Sequence, residues 1–539
     1  MIPSLLRTSL RVSSRAAWLF PAVLGAALYL VNLSGTWIYD DAFFAREDPR
    51  LKDVHRWGDY LTQSYFDGQA DALWRPLVSL SYAVEWRLHA ERAWPFHLVN
   101  LLLHAGVCML VVTLGRRLSG SNAVGWAAGL LFAAHPIHVD AVSGIVGRAE
   151  EMCTMAMLAA LLLVIGRPMT IRRALAVTGC FLFAALSKEQ GILLPFMLLA
   201  WAAARRWWNS SSPVIPSDAV TPIGTLDYAS PMGKRARSPE MKAAMWLIVM
   251  LTLTLAIYVA YRDSVAKWYW DRGFLDWTLN PIVRSVGADR WLMPVAILGR
   301  YATLLVAPWR LAPDYSAMVF TPIQRKDDPY LWLGIAALLC IAALLVYAIR
   351  RRKGALLFCL AGLGISYFLA SNVVIIGTIF GERLMYLPSV FACILAAMAL
   401  AKLPRRNLVL AVILAAWCVR TETYAWQWND RLRFYRYADA VQPSSAQVIL
   451  LLADELHRRG NRAEAMAVLA RGREVCPGAW KIMDLSVRLA MEGGDYGNAL
   501  IWARQSLKLR PGPEAAFLLS DIYEQKAASE ARKPGQPPG

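Results

Sequence analysis

Charge is scarce in this sequence: 18% of its 539 residues are Asp, Glu, Lys or Arg, against 57% hydrophobic, and the mean hydropathy is +0.38. So apolar a chain is not a set of water-soluble domains, which excludes a soluble enzyme. Cysteine is present but without paired spacing. Seven of the eight (Cys108, Cys153, Cys180, Cys340, Cys359, Cys393, Cys418) lie in apolar runs, where a thiol behaves as a small hydrophobe. Neither a disulfide framework nor a cysteine metal site is expected. A His-Glu-x-x-His helix, the common zinc signature, is also missing. Acids are outnumbered, 39 to 57, leaving a net charge of +18. In a soluble protein that excess would point to nucleic acid; in a membrane protein Lys and Arg first mark the loops that stay in the cytoplasm, so no nucleic-acid partner is expected. No internal inverted repeat of interrupted helices is visible, which argues against a transporter.

What is abundant is long apolar runs. About 20 such residues cross the hydrocarbon core as a helix. Runs bounded by polar or basic residues fall at 16–36, 96–115, 124–142, 149–166, 173–187, 190–204, 243–261, 330–349, 355–373, 384–401 and 407–420. The first follows Arg7, Arg11 and Arg15; its length and the lack of a small-residue cleavage site before Asp40 fit an uncleaved helix. The reading is an all-α protein of eleven spans, with a first outer loop at 37–95 and a flexible cytoplasmic linker at 205–241. Arg116/Arg117, Arg167/Arg172/Arg173, the linker, Arg350–Lys353 and Lys402/Arg405/Arg406 then share one side. Those cytoplasmic segments hold 21 Lys/Arg against 3 Asp/Glu, equal to the whole net charge. The stretch 291–308, broken by Pro294, Arg300 and Pro308, is expected to be re-entrant or surface-lying rather than a crossing.

After residue 420 the composition turns soluble and periodic. Pro443, Pro477 and Pro511 are 34 apart, as are Gly460 and Gly494, and Ala465 and Ala499. This is the tetratricopeptide period, and it predicts a short helical solenoid over 421–532: repeats at 444–477 and 478–511, the first helix of a third, and a disordered tail at 533–539. Such an array is either a packing module or a groove for a peptide substrate.

Ionisable residues at the ends of spans are costly in lipid and so are candidate site residues. Asp40 and Asp41 follow the first span; adjacent carboxylates raise one another's pKa, and one at a membrane cleft can take a proton from an attacking hydroxyl. Arg75 lies in Trp74-Arg75-Pro76-Leu77. His97, Asn100 and His104, at i, i+3 and i+7, share an inward helix face. His135, His138 and Asp140 close another outward span, followed by Arg148; four histidines and an acid raise zinc, but inward histidines bonding helices or substrate are favoured, so no metal is assigned. Lys188 and Glu189, then Glu382, Arg383 and Tyr386, stand at two further outer ends. Arg148, Lys188 and Arg383 thus converge with the acids, as a phosphate-bearing substrate requires.

In order along the chain, Asp40-Asp41, Trp74 to Leu77, His97 to His104, His135 to Arg148, Lys188 to Gly191, Asn280-Pro281, Pro313 to Ser316, Glu382 to Ser389, Arg420-Thr421 with Trp426, and the terminal repeats resemble the transmembrane and tetratricopeptide-repeat O-mannosyltransferases, within the multi-span (GT-C type) glycosyltransferases that use polyprenyl-phosphate sugars. The resemblance implies a catalytic base in the acidic pair, Asp40 with Asp41 in support, Asp140 near the reacting centre, and Arg148 on the donor phosphate. Two departures stand out: the repeat array is short, and Asp140 replaces the usual Glu. The expectation is inverting transfer of a sugar, mannose by resemblance, from a polyprenyl phosphate to Ser or Thr of a protein, with no cofactor. Its setting is a bacterial inner membrane with a periplasmic site and repeats, or alternatively the endoplasmic reticulum. The rival from another class is a non-enzymatic membrane scaffold whose repeats recruit envelope-assembly or secretion partners.

Overall fold

The computed structural model describes residues 16–65, 73–207, 237–266, 276–319 and 328–531, and among these it is helical, with no strand. The expected linker falls mostly at 208–236 and the tail at 533–539, both outside the described residues, as are Arg7, Arg11 and Arg15.

Among the described residues six helices are long and apolar enough to cross a bilayer: Ala93–Ser119, Pro239–Val265, Pro329–Arg350, Gly354–Ser371, Glu382–Leu400 and Arg406–Asn429. Their ends are written locally. Gly120, at φ 69°, ends the first in the left-handed region, and Pro329 opens the third behind Asp328, whose carboxylate accepts from the Tyr330 N–H.

The other five expected spans are also helices, but shorter: Ala16–Leu28, Asn122–Ala134, Arg148–Val164, Ile171–Ser187 and Leu194–Ala204, of 11 to 17 residues. At 1.5 Å per residue the shortest covers only about 16 Å. Four of them stop early at one end, where the chain turns back in tight 3-10 turns, Pro136–His138, Ile145–Gly147 and Glu189–Leu193. Glycine permits this. A Cβ on Gly147 would lie 2.0 Å from the Ala141 carbonyl oxygen, and one on Gly191 2.4 Å from Ala184 backbone.

The stretch expected to be re-entrant or surface-lying is a helix, Asp289–Val306, with Pro294 taken into its second turn. It packs on Pro329–Arg350 through interlocked glycines. A Cβ on Gly299 would meet the Tyr330 oxygen at 1.9 Å, and one on Gly334 the Val295 oxygen at 1.9 Å.

Side-chain amides stitch one end of the bundle together. Asn32 donates to the Ala425 carbonyl at 3.0 Å and to Asn429 at 3.0 Å, while its own oxygen accepts from Ser143 at 2.9 Å. Thr421 donates to the Ala134 carbonyl at 2.8 Å. The first and last membrane helices and the Val139–Ser143 turn are thereby held as one surface. At the opposite end Arg117 donates to the Ile165 carbonyl at 3.2 Å, so two basic turns sit side by side there.

Beyond the helix Arg431–Val441 the chain forms helix pairs, Ala446–Arg458 with Arg462–Val475 and Trp480–Glu492 with Tyr496–Leu509, then Pro513–Ala531. Ser445, Asn461 and Asp495 cap three of them. These pairs rest on the membrane part: Lys481 pairs with Asp276 at 2.9 Å, and Ser445 donates to Asp314 at 2.7 Å.

Candidate active site

The chain leaves its first helix through the 3-10 turn Leu30–Ser34 and residues 35–38, then turns at Tyr39, which stands at φ 55°. Asp40 and Asp41 follow and face different surroundings. Asp41 is buried, 1% exposed; Oδ1 accepts from the Val146 N–H at 3.0 Å and Oδ2 has no partner. Burial pushes its carboxyl up to about 7, against the pull of backbone N–H groups and with the help of neighbouring Asp40. Asp40 is part-exposed, and its Oδ2 lies 3.0 Å from Arg383 Nη2.

Arg383 belongs to the 3-10 turn Glu382–Met385 that starts a membrane helix. Its backbone N–H donates to Asp140 Oδ2 at 3.0 Å. Asp140 sits in the short helix Val139–Ser143, past the end of Asn122–Ala134. Burial pushes its carboxyl up to about 6, although Arg383 opposes this. Asp40, Asp140 and Arg383, three residues from distant stretches, therefore form one cluster, with Asp41 directly behind.

The other sequence-derived cations stand in closed webs. Arg148 is fully buried. Its Nε donates to Asn100 at 3.0 Å, its Nη groups to Ser81 at 3.1 Å, to the Phe96 carbonyl at 2.9 Å and to both oxygens of Glu85. All five donors of the guanidinium are engaged, so as folded it offers none to a phosphate. Asn100 in turn donates to the Gly144 carbonyl at 3.0 Å, tying this web to the outer turns. Lys188 is buried against Glu150, and Arg75 pairs with Glu189 at 3.0 Å. Side-chain exposure separates these pairs: 27% and 32% for Arg383 and Asp40, 15% and 18% for Arg75 and Glu189, 4% and 3% for Lys188 and Glu150. The Asp40–Arg383 pair is the most exposed of the three.

Beneath lies a layer of buried rings. His104 Nδ1 is 2.8 Å from the Tyr386 hydroxyl, His138 Nε2 is 2.7 Å from Ser389 Oγ, and His135 Nε2 is 3.1 Å from the Leu305 carbonyl. These histidines bond helices to one another; His97 is buried with them but outside these bonds. Among the described residues no group of three or more His, Cys, Asp or Glu is placed to hold a metal ion. Glu382 faces inward too, accepting from the Tyr315 hydroxyl at 2.6 Å and the Ala312 N–H at 2.7 Å. Sequence reasoning missed Glu85 and Ser81, the partners of Arg148, and gave no role to Asp314, which lies in the matched stretch Pro313 to Ser316. A signal existed for the first two: they stand at i, i+4 in the helix Pro76–His89 and share a face.

No family model and no solved structure matches this chain. Curated proteins do. It is 27% identical over 447 residues to the Drosophila melanogaster protein O-mannosyl-transferase Tmtc3, covering 74% of this chain and 48% of that protein. It is 25% identical over 456 residues to the Caenorhabditis elegans protein O-mannosyl-transferase F38B6.6, covering 81% and 59%. Its curated relatives are protein O-mannosyl-transferases. Identity to the human protein O-mannosyl-transferase TMTC2 reaches 36%, over 192 residues, a third of this chain and 22% of that protein. The chain thus spans about half the length of the first two relatives.

Proposed function

We propose that this chain is an integral membrane glycosyltransferase that moves a sugar, mannose by analogy with its relatives, from a polyprenyl phosphate to Ser or Thr hydroxyls of a protein. The observation that carries the reading is the Asp40–Arg383 pair, a part-exposed carboxylate and guanidinium 3.0 Å apart beside the buried Asp41 and Asp140. A transfer of this kind needs one group to take a proton and one to receive negative charge.

In the proposed step the donor phosphate takes the place of Asp40 on Arg383, whose planar fork suits a phosphate as well as a carboxylate. Asp40, released, accepts the proton of the Ser or Thr hydroxyl. The hydroxyl oxygen attacks the anomeric carbon, the bond from that carbon to the phosphate oxygen breaks, and the polyprenyl phosphate leaves with its charge held by Arg383. A single displacement inverts the anomeric configuration and requires no covalent intermediate. Asp41, which burial keeps from ionising readily, fixes the turn beneath, and Asp140 holds the Arg383 backbone. Arg148 reaches a phosphate only by releasing partners it already has, so the reading assigns it to holding the outer turns together. Lys188 is the reserve cation, free to act if Glu150 yields it.

The reading keeps eleven crossings, with the five shorter helices completing the bundle, and puts the site and the tetratricopeptide-like pairs on the non-cytoplasmic face, periplasmic in a bacterium or lumenal in the endoplasmic reticulum. The basic turns gathered at the opposite end support that orientation. No metal takes part in the step as written. The test is a glycopeptide and intact-mass comparison of exported proteins from cells with and without the chain. Hexose on Ser or Thr that disappears with the chain supports the reading, and identical masses would contradict it.

A further inference from the structure

The loop 312–316 touches three things at once. At one end Glu382 accepts from the Ala312 N–H and the Tyr315 hydroxyl, which ties the loop to the residue beside Arg383. In the middle, buried Asp314 Oδ2 accepts from the Tyr39 hydroxyl at 3.2 Å, which ties it to the residue beside Asp40. Asp314 Oδ1 accepts from the Ser316 N–H at 2.9 Å and from Ser445 Oγ at 2.7 Å. Ser445 is the cap of the first paired helix, accepting from the Val448 N–H at 3.1 Å. The junction continues with Ser316 Oγ 3.0 Å from Ser445 Oγ and Ser444 donating to the Met318 carbonyl at 3.2 Å.

Tyr39 needs such a partner. At φ 55° its backbone is in the left-handed region, which a residue with a Cβ holds only when its surroundings impose it. Its ring lies against Phe434, 6.3 Å between centroids, on the helix Arg431–Val441. Its hydroxyl bond to Asp314 supplies the second hold. A turn fixed this way aims the next residue, and the next residue is Asp40.

We propose that Asp314 is a positioning residue: it carries the placement of the first paired helix, through Ser445, to Tyr39, and so sets the direction of Asp40. The role of Asp40 in this statement rests on the function proposed above; the mechanical link does not. The array is then a structural member of the site as well as a surface for partners.

Two readouts on the full-length chain in lipid nanodiscs test this. Hydrogen–deuterium exchange reports the link without any activity: Ser445→Ala raises amide exchange over 37–46, whereas Asp495→Ala, which uncaps the later helix Tyr496–Leu509, loosens that helix alone. Exchange over 37–46 unchanged by Ser445→Ala overturns the proposal. Transfer from polyprenyl-phosphate mannose to a Ser-containing peptide reports the consequence. Tyr39→Phe, which keeps the ring and removes the hydroxyl, lowers kcat about ten- to a hundredfold with the donor KM within about twofold. Adding Ser445→Ala to it costs little more, since both act through Asp314. A Tyr39→Phe enzyme with wild-type kcat, or fully additive losses, overturns the proposal. A wild-type chain that transfers nothing counts against the proposed function, and the exchange readout still decides the link.

Discussion

Arg383 holds Asp40 with its side chain and Asp140 with its backbone: Nη2 lies 3.0 Å from Asp40 Oδ2, and the N–H donates to Asp140 Oδ2 at 3.0 Å. The two attachments are chemically independent. A change of side chain at 383 frees Asp40 and leaves Asp140 where it is, so the cation can be probed without dismantling the cluster.

Arg383→Gln should therefore lower kcat/KM about a hundredfold, through both donor KM and kcat, if the guanidinium holds the phosphate in the bound donor and as it leaves. Arg383→Lys should recover part of the loss, because it restores charge but not the fork. Steady-state kinetics with the donor varied check this. Unchanged kcat and donor KM in Arg383→Gln would remove Arg383 from the phosphate.

Asp41 gives the fold a pH dependence whose sign follows from its burial. Its carboxyl is raised from 3.8 to about 7. Between those values the folded chain holds a proton that the unfolded chain has lost, so this group's stabilisation is complete in acid and is lost as pH rises through about 7. Asp41→Asn keeps an oxygen for the Val146 N–H and removes the titration. Thermal melting in detergent across this range should show wild type falling with pH relative to Asp41→Asn; parallel profiles would mean that Asp41 ionises freely.

Arg148 and Glu85 form a buried pair, and removing one partner leaves the other charge uncompensated. Arg148→Met should cost about 3–5 kcal/mol of stability, and much of that should return in Arg148→Met/Glu85→Leu. Arg148→Lys should not rescue, since a point charge cannot replace five directed donors. Melting in detergent measures the stability, and the donor KM of whichever variants fold tests the phosphate role: a large rise in donor KM without loss of stability would return the phosphate to Arg148.

Local pattern made part of this legible and distance hid the rest. The helix Ala93–Ser119 and the pairs after Ser445 follow from apolar runs and a 34-residue spacing, which lie open in the sequence. The gathering of Asp40, Asp140 and Arg383 at one end follows from each standing at a span end. What the pattern does not encode is partner choice. Asp314 lies 275 residues from Tyr39, and Glu85 lies 63 from Arg148; no periodicity joins them, and Arg148 therefore read as an open cation when it is a closed one. The early end of Asn122–Ala134 has a local cause, Pro136 at the start of the next turn with His135 as its cap, but the apolar run continues past it and masks the break.

The central claim is that Asp40 is the base of a sugar transfer, and one measurement addresses it most directly. The full chain, reconstituted in lipid, is given polyprenyl-phosphate mannose and a Ser-containing peptide, and the initial rate of glycopeptide formation is compared with that of Asp40→Asn inserted and folded to the same extent. The account predicts hexose on the serine with wild type and a rate about a hundredfold to ten-thousandfold lower with Asp40→Asn, at similar donor KM. Equal rates would remove Asp40 as the base.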